Sequence, residues 1–280
     1  MSSLSSHFVE VEGLRLHYTS CGEGPPVLLL HGWPTSAFLY RDISPLIAAQ
    51  GRRAIALDLP GFGKSDKPLD ASYSNRFYDR ILNAFADALE LGPTGLVVHD
   101  LGGPVGLHWM VENPDRVSSV ALLNTIVQAK MHWWAVLFLV GARIPGLSWF
   151  VTAPWFLKFT MQFGTRSKQG SRPEVVAGVQ EPFGTTDARK ALLKSIRGLH
   201  PAGLKTIEQK LPGMTLPVRM IYGTSDQVLP DVPKVFPRLA TTMGVPPENV
   251  TALDGCGHFL QEDRPDEVGR LLAEFFAATA

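Results

Sequence analysis

Asp100 occupies the turn His99-Asp100-Leu101-Gly102-Gly103, directly after the apolar run Leu96-Val97-Val98 and before a helix-like segment from Pro104 to Glu112. A residue on a sharp strand-to-helix turn with small neighbours presents its reactive atoms at the N-terminus of the helix, the arrangement of a nucleophile elbow. Gly102 and Gly103 supply the small side, while Val98 stands where a glycine is more usual. The turn holds no serine or cysteine, so it offers no hydroxyl or thiol for an acyl-enzyme. A carboxylate suits displacement at saturated carbon, giving an alkyl ester with the enzyme. Taken by itself, Asp100 also fits a simple N-cap of the helix that follows.

Three further segments point at the same place. His31-Gly32-Trp33-Pro34 follows the strand that should lie beside Asp100, and the backbone N–H of Trp33 can join that of Leu101 in holding a developing oxyanion. His258, in Gly255-Cys256-Gly257-His258, follows the last strand, where a loop can return a base to the same sheet edge. Asp226, in Gly223-Thr224-Ser225-Asp226, follows the strand before that, and fits either an acid that orients His258 or an Asx turn. The order nucleophile, acid, histidine is one that strand-turn-helix hydrolases use. His99 should point away from Asp100 by strand alternation and read as a packed or hydrogen-bonded histidine. Cys256 reads as a small packed side chain. Gly61-Phe62-Gly63-Lys64-Ser65 lacks the full glycine spacing of a phosphate loop. The histidines are scattered without metal-ligand spacing, so neither a metal nor a cofactor is implied.

The elements that must position these residues alternate between short apolar runs and longer helical stretches, which predicts an α/β fold with a mostly parallel sheet covered on both faces. His7 to Thr19 reads as an antiparallel hairpin turning at Glu12-Gly13. Val27 to His31, Ala54 to Leu57, Leu96 to Val98, Val117 to Leu123, Val218 to Tyr222 and Val250 to Leu253 read as further strands. Helices are expected over Tyr73 to Leu91 and Pro265 to about Phe276. Between Asn124 and about Lys205 the alternation stops, and the stretch holds Trp133, Trp134, Trp149 and Trp155. It reads as a helical cap, residues 125–205, over a catalytic domain of residues 1–124 and 206–280, at the sheet edge where ligands bind in such folds. Those four tryptophans are the candidate lining of an apolar substrate pocket, against the plainer reading that they fill the cap's own core. Arg166 to Arg172 reads as a solvated charge cluster.

Composition narrows the class. The chain has 280 residues, with 26 basic and 26 acidic side chains, so the formal net charge is zero and there is no overall field to hold a nucleic acid or an anionic membrane. The 45% hydrophobic content fits one large domain carrying an insertion. Two cysteines do not make a disulfide framework, and Met1 to Glu10 has neither the basic start nor the apolar run of a secretory signal, so a cytoplasmic location is expected. The most apolar stretch, Trp133 to Val140, is too short to span a bilayer. The expected partners are a small apolar substrate and water, with no nucleic acid and no membrane span, on a monomer or homodimer.

The stretches from His31 to Arg41, Val97 to Trp109 and Gly257 to Asp266 resemble the haloalkane dehalogenase and epoxide hydrolase branch of the α/β-hydrolase superfamily. The resemblance covers about residues 8 to 124 and 206 to 278, and the cap matches in position only. It implies Asp100 as nucleophile, His258 as the base that activates water to hydrolyse the ester, and Asp226 as the acid that orients His258. Asn124 matches the branch whose acid follows the later strand, and Trp33, Leu101 and Asn124 become the candidates for the oxyanion and leaving-group site. Dehalogenases of this branch hold the halide with a tryptophan directly after the nucleophile and a second donor, often an asparagine at the position of Trp33 or a cap tryptophan. Here Leu101 has no side-chain N–H, so Trp33 or a cap tryptophan must supply the donor. Epoxide hydrolases use two cap tyrosines, yet Tyr18, Tyr40, Tyr73, Tyr78 and Tyr222 all lie outside the insertion. His132 or His200 would have to substitute as acid. A dehalogenase-like hydrolase is therefore the leading expectation, followed by an epoxide, ester or lactone hydrolase and by a non-catalytic binder of apolar ligands.

Overall fold

The computed structural model describes residues 3–144, 146–168, 172–198 and 200–279. Of the Arg166 to Arg172 cluster, residues 169 to 171 lie outside the described residues.

Eight strands form one sheet: Ser5–Val11 (β1), Leu14–Cys21 (β2), Pro26–Leu30 (β3), Arg53–Leu57 (β4), Thr94–Asp100 (β5), Val117–Thr125 (β6), Val218–Gly223 (β7) and Val250–Leu253 (β8). Their spatial order is β1-β2-β4-β3-β5-β6-β7-β8. The hairpin β1–β2 is antiparallel, as is its junction with β4, and every later pair is parallel. The hairpin turns at Glu12 and Gly13, both with positive φ. In β3, Leu28 and Leu30 enter the core on one face of the sheet while Val27 and Leu29 enter the core on the other. Leu96 and Val98 alternate with Val97 in β5 in the same way, which is why these runs are apolar throughout.

The helices are Ser44–Ala48 (α1), Asn75–Ala88 (α2), Gly102–Glu112 (α3), Trp133–Gly141 (α4), Leu147–Phe150 (α5), Pro154–Gly164 (α6), Pro173–Gln180 (α7), Thr186–Gly198 (α8), Pro201–Lys210 (α9), Val232–Met243 (α10), Leu260–Asp263 (α11) and Pro265–Ala278 (α12). α2 begins later than its apolar pattern, because Ser74 caps it by accepting the N–H of Phe77 and Tyr73 takes a positive φ. α3 starts at Gly102, immediately behind Asp100. α4 to α9 all lie between β6 and β7. The expected cap boundary at Lys205 falls inside α9, and α9 packs against α3. No helix among the described residues is long and apolar enough to cross a membrane.

Candidate active site

The site is built around a strained turn. Asp100 ends β5 with φ +48°, a left-handed conformation that costs a side-chain-bearing residue energy and is tolerated where the surroundings enforce it. Three glycines make the turn possible. A Cβ on Gly32 would collide with the Asp100 side chain, one on Gly102 with the carbonyl oxygen of Leu30, and one on Gly103 with the Thr125 hydroxyl. That hydroxyl donates to the Asp100 carbonyl at 2.7 Å, which ties the elbow to the end of β6.

The Asp100 carboxylate is buried and well supplied with donors. The backbone N–H of Trp33 donates to Oδ1 at 2.7 Å, and the N–H of Leu101 donates to the same carboxylate. The Trp33 loop is itself fixed by His31, whose Nδ1 lies 2.9 Å from the Gly32 carbonyl while Nε2 accepts from the N–H of Leu59 at 3.1 Å. Burial alone would raise the Asp100 pKa. The hydrogen bond and charge of His258, with the backbone donors, outweigh burial and hold it below the ordinary carboxylate value.

His258 stands between two carboxylates. Its Nδ1 lies 2.9 Å from Asp226 Oδ2, and its Nε2 lies 3.4 Å from Asp100 Oδ2, at the outer limit of a hydrogen bond. Burial would lower its pKa, but the Asp226 and Asp100 charges and hydrogen bonds overcome burial and push it up to about 10. Asp226 uses its other oxygen to accept the N–H groups of Val228 and Leu229 at 2.7 and 2.8 Å. One oxygen thus makes the Asx-turn contacts and the other meets the ring of His258. His99 packs against His258 with the rings tilted at 45° and 4.8 Å apart, and lies 3.0 Å from its carbonyl through Nε2. Burial, then the neighbouring His258, drives the His99 pKa down to about 3, so it stays neutral. Cys256 is buried and its thiol is pushed up to about 12, chiefly by burial, which makes it a poor nucleophile.

A cavity of about 690 Å³ opens above this group, with Trp33, Asp100 and Leu101 at its floor and Trp134, Phe138 and Phe163 among its walls. Trp33 lines the cavity with other parts of its ring, because its Nε1 is fully buried and has no hydrogen-bond partner. The leaving-group expectation is thus partly corrected. Asn124 does not reach the cavity, because its amide donates to the carbonyls of Gly257 and His258 at 2.8 and 3.1 Å and its oxygen accepts the N–H of Gly223 at 3.0 Å. It ties the ends of β6 and β7 to the His258 loop. Of the four cap tryptophans only Trp134 lines the cavity. Trp133, Trp149 and Trp155 are exposed, with Trp149 lying under the Arg189 guanidinium at 3.6 Å. None of the five tyrosines lines the cavity; His132 borders a smaller neighbouring pocket and His200 caps α9.

Asp263 is a supporting residue the sequence did not single out. Its Oδ2 accepts the N–H of Gly257 at 2.7 Å, and its Oδ1 accepts those of Arg166 and Ser167 at 2.8 and 2.7 Å. It thereby joins the His258 loop to the end of α6, where the N–H of His258 also donates to the Gly164 carbonyl at 2.7 Å. Only its place five residues after His258, on the first turn after the loop, hinted at this.

A carboxylate on a strand-to-helix elbow, a histidine with one free ring nitrogen and a second carboxylate behind it define a hydrolase site, and residues 25–265 match the α/β hydrolase fold family. The chain belongs to that family. Within it, the chain is 32% identical to a haloalkane dehalogenase of Psychrobacter cryohalolentis, over 94% of this chain and 87% of that protein. The structure of haloalkane dehalogenase DbeA from Bradyrhizobium elkani superposes with a TM-score of 0.88 at 28% identity, covering 99% of each chain. An epoxide hydrolase, CorEH, superposes with a TM-score of 0.83 at 22% identity and so shares the fold. The protein is accordingly an enzyme, a hydrolase of the haloalkane dehalogenase type.

Proposed function

We propose that the enzyme cleaves the carbon–halogen bond of a small to medium apolar haloalkane through an ester on Asp100. Asp100 Oδ2, the oxygen not held by Trp33, attacks the halogen-bearing carbon; the new C–O bond forms as the halide departs with the bonding pair. Water next attacks the carboxyl carbon of the ester and gives its proton to Nε2 of His258, while Asp226 holds the ring and balances its charge. The N–H groups of Trp33 and Leu101 carry the oxyanion of that step. Collapse expels the alcohol oxygen, which takes the proton back from His258, leaving Asp100 as the carboxylic acid; loss of that proton to solvent, with the halide, restores the carboxylate. Alkylation also prepares the second half. The ester no longer carries the Asp100 charge that helps hold a proton on His258, so the ring's pKa falls when a base is needed.

The observation that carries the reading is the Asp100 carboxylate on its elbow at an apolar cavity that Trp33 and Leu101 also line. The Trp33 indole N–H has no protein partner, and a rotation of the ring would offer it to the departing halide. Epoxide opening instead needs an acid for the alkoxide, and no tyrosine lines the cavity. The apolar walls favour an apolar chain. Because α9 packs on α3, we take the cap as α4 to α8 and assign α9 to the catalytic domain. The sparse cysteines fit a cytoplasmic enzyme, acting as a monomer or homodimer.

Incubation of His258→Gln with a bromoalkane should release one halide per enzyme and add the mass of the alkyl group to the protein. Asp100→Asn should do neither. Halide release by Asp100→Asn at the wild-type rate rules the mechanism out.

A further inference from the structure

Of the thirteen large hydrophobic side chains that are exposed among the described residues, ten lie between Trp133 and Phe159, so the apolar surface is concentrated on one part of the cap. Surfaces of that kind mark a contact site. Trp133 is 71% exposed, Leu137 62%, Trp155 59% and Phe150 54%. The α4 and α6 parts of this surface are joined by Phe138 stacked on Phe156 at 6.3 Å, and Trp155 meets the same Phe156 edge-on at 5.7 Å within α6. The patch is continuous with the catalytic cavity, since Val136, Val140 and Phe159 are both exposed and part of its lining. It is the rim of the pocket mouth.

Charge identifies the occupant. Net zero is an average, and the chain carries no acidic residue between Asp115 and Glu174, a stretch with seven lysines and arginines. Lys130, Arg143 and Lys158 are exposed within or beside the patch. α8, behind it, adds Arg189, Lys190, Lys194 and Arg197 against the single acid Asp187, which pairs with Lys190 at 3.0 Å. Exposed tryptophan and leucine beside cations, without acids, suit the headgroup region of an anionic bilayer. A second copy would bring two cationic faces together, which opposes pairing.

We propose that the α4–α6 face of the cap docks on anionic phospholipid surfaces, seating the pocket mouth against the bilayer. Trp133, Leu137, Phe150 and Trp155 enter the interface and the flanking lysines and arginines meet the phosphates. An apolar substrate dissolved in the lipid then reaches the cavity without crossing water.

Flotation of the full chain with vesicles tests docking without turnover, so it stands or falls apart from the dehalogenase reading. The wild type should float with phosphatidylcholine vesicles containing phosphatidylglycerol, much less with phosphatidylcholine alone, and lose binding at high salt. Leu137→Glu with Phe150→Glu should weaken vesicle affinity at least about tenfold, and Lys158→Ala about fivefold. Both variants should melt with the wild type, because these side chains are exposed in the free protein. No flotation with anionic vesicles, or equal flotation of the double variant, overturns the proposal. So does a wild-type dimer in sedimentation that Leu137→Glu splits without any vesicle binding, which assigns the face to self-association.

Discussion

Nδ1 of His258 lies 2.9 Å from Oδ2 of Asp226, and neither side chain touches solvent. A buried histidine proton shared with a buried carboxylate fixes both the tautomer and the ring plane, leaving Nε2 toward Asp100 Oδ2 at 3.4 Å. Asp226→Asn keeps an oxygen for the N–H groups of Val228 and Leu229 but removes the charge. Ester hydrolysis should then slow by about 10³-fold or more, on the scale seen when the acid of a hydrolytic triad is neutralised. Alkylation, which does not use His258 as a base, should be nearly unchanged. Intact-protein mass spectrometry should show the alkyl-enzyme accumulating during turnover; a slow variant without accumulation places the role of Asp226 elsewhere.

The two neighbouring histidines, His99 and His258, pull stability in opposite pH directions. His258 has a folded pKa near 10, above its unfolded value of about 6.5. Its contribution is therefore complete below pH 6.5 and is lost as pH rises through 10. His99 has a folded pKa near 3, below the same unfolded value, so the unfolded chain binds its proton more tightly and stability falls as pH drops from 6.5 towards 3. Urea midpoints across pH should form a dome. His258→Gln should flatten the alkaline limb and His99→Gln the acid limb, and unchanged limbs in both variants contradict these assignments.

Asn124 shows where sequence reading stopped. The positions of the elbow, the Trp33 loop, Asp226 and His258 are legible because each follows from local chain geometry: a strand end, a tight turn, a following helix. Asn124 also sits at a strand end, but its φ of +31° and the register shift where Asp100 pairs with Thr125 accompany a side chain turned sideways to Gly223, Gly257 and His258. No spacing rule encodes that direction. The cap tryptophans failed for a different reason. α4 reads Trp-Trp-Ala-Val-Leu-Phe-Leu-Val-Gly, apolar all round, so periodicity cannot choose between the face that lines the cavity and the face that meets solvent.

That placement makes Asn124 a positioning residue with a measurable signature. Asn124→Ala leaves the Gly223 N–H and the Gly257 carbonyl without their partner in a buried region, while the His258 carbonyl keeps His99, at a cost of about 1–3 kcal/mol for each group water cannot reach. The variant should lose stability in urea denaturation and hydrolyse the ester more slowly, with alkylation little affected. A stable variant with normal ester hydrolysis removes the role.

The proposed halide site turns on Trp33. Its indole N–H has no partner, its ring meets Phe138 at 5.3 Å, and Leu101, which lines the same cavity, has nothing to donate. Trp33→Phe removes the N–H and keeps most of the bulk. A lost hydrogen bond to a developing anion costs about 1.5–3 kcal/mol, roughly 10- to 150-fold in the alkylation rate. The loss should be larger for chloride than for iodide, because the smaller anion concentrates its charge and gains more from a donor. Leu101→Trp on the Trp33→Phe background restores an indole on the opposite wall and should recover part of the rate for bromoalkanes. Single-turnover halide release separates the alternatives: an equal effect on all halides, or a loss seen only with Trp33→Ala and only as altered chain-length preference, makes Trp33 a wall rather than a donor.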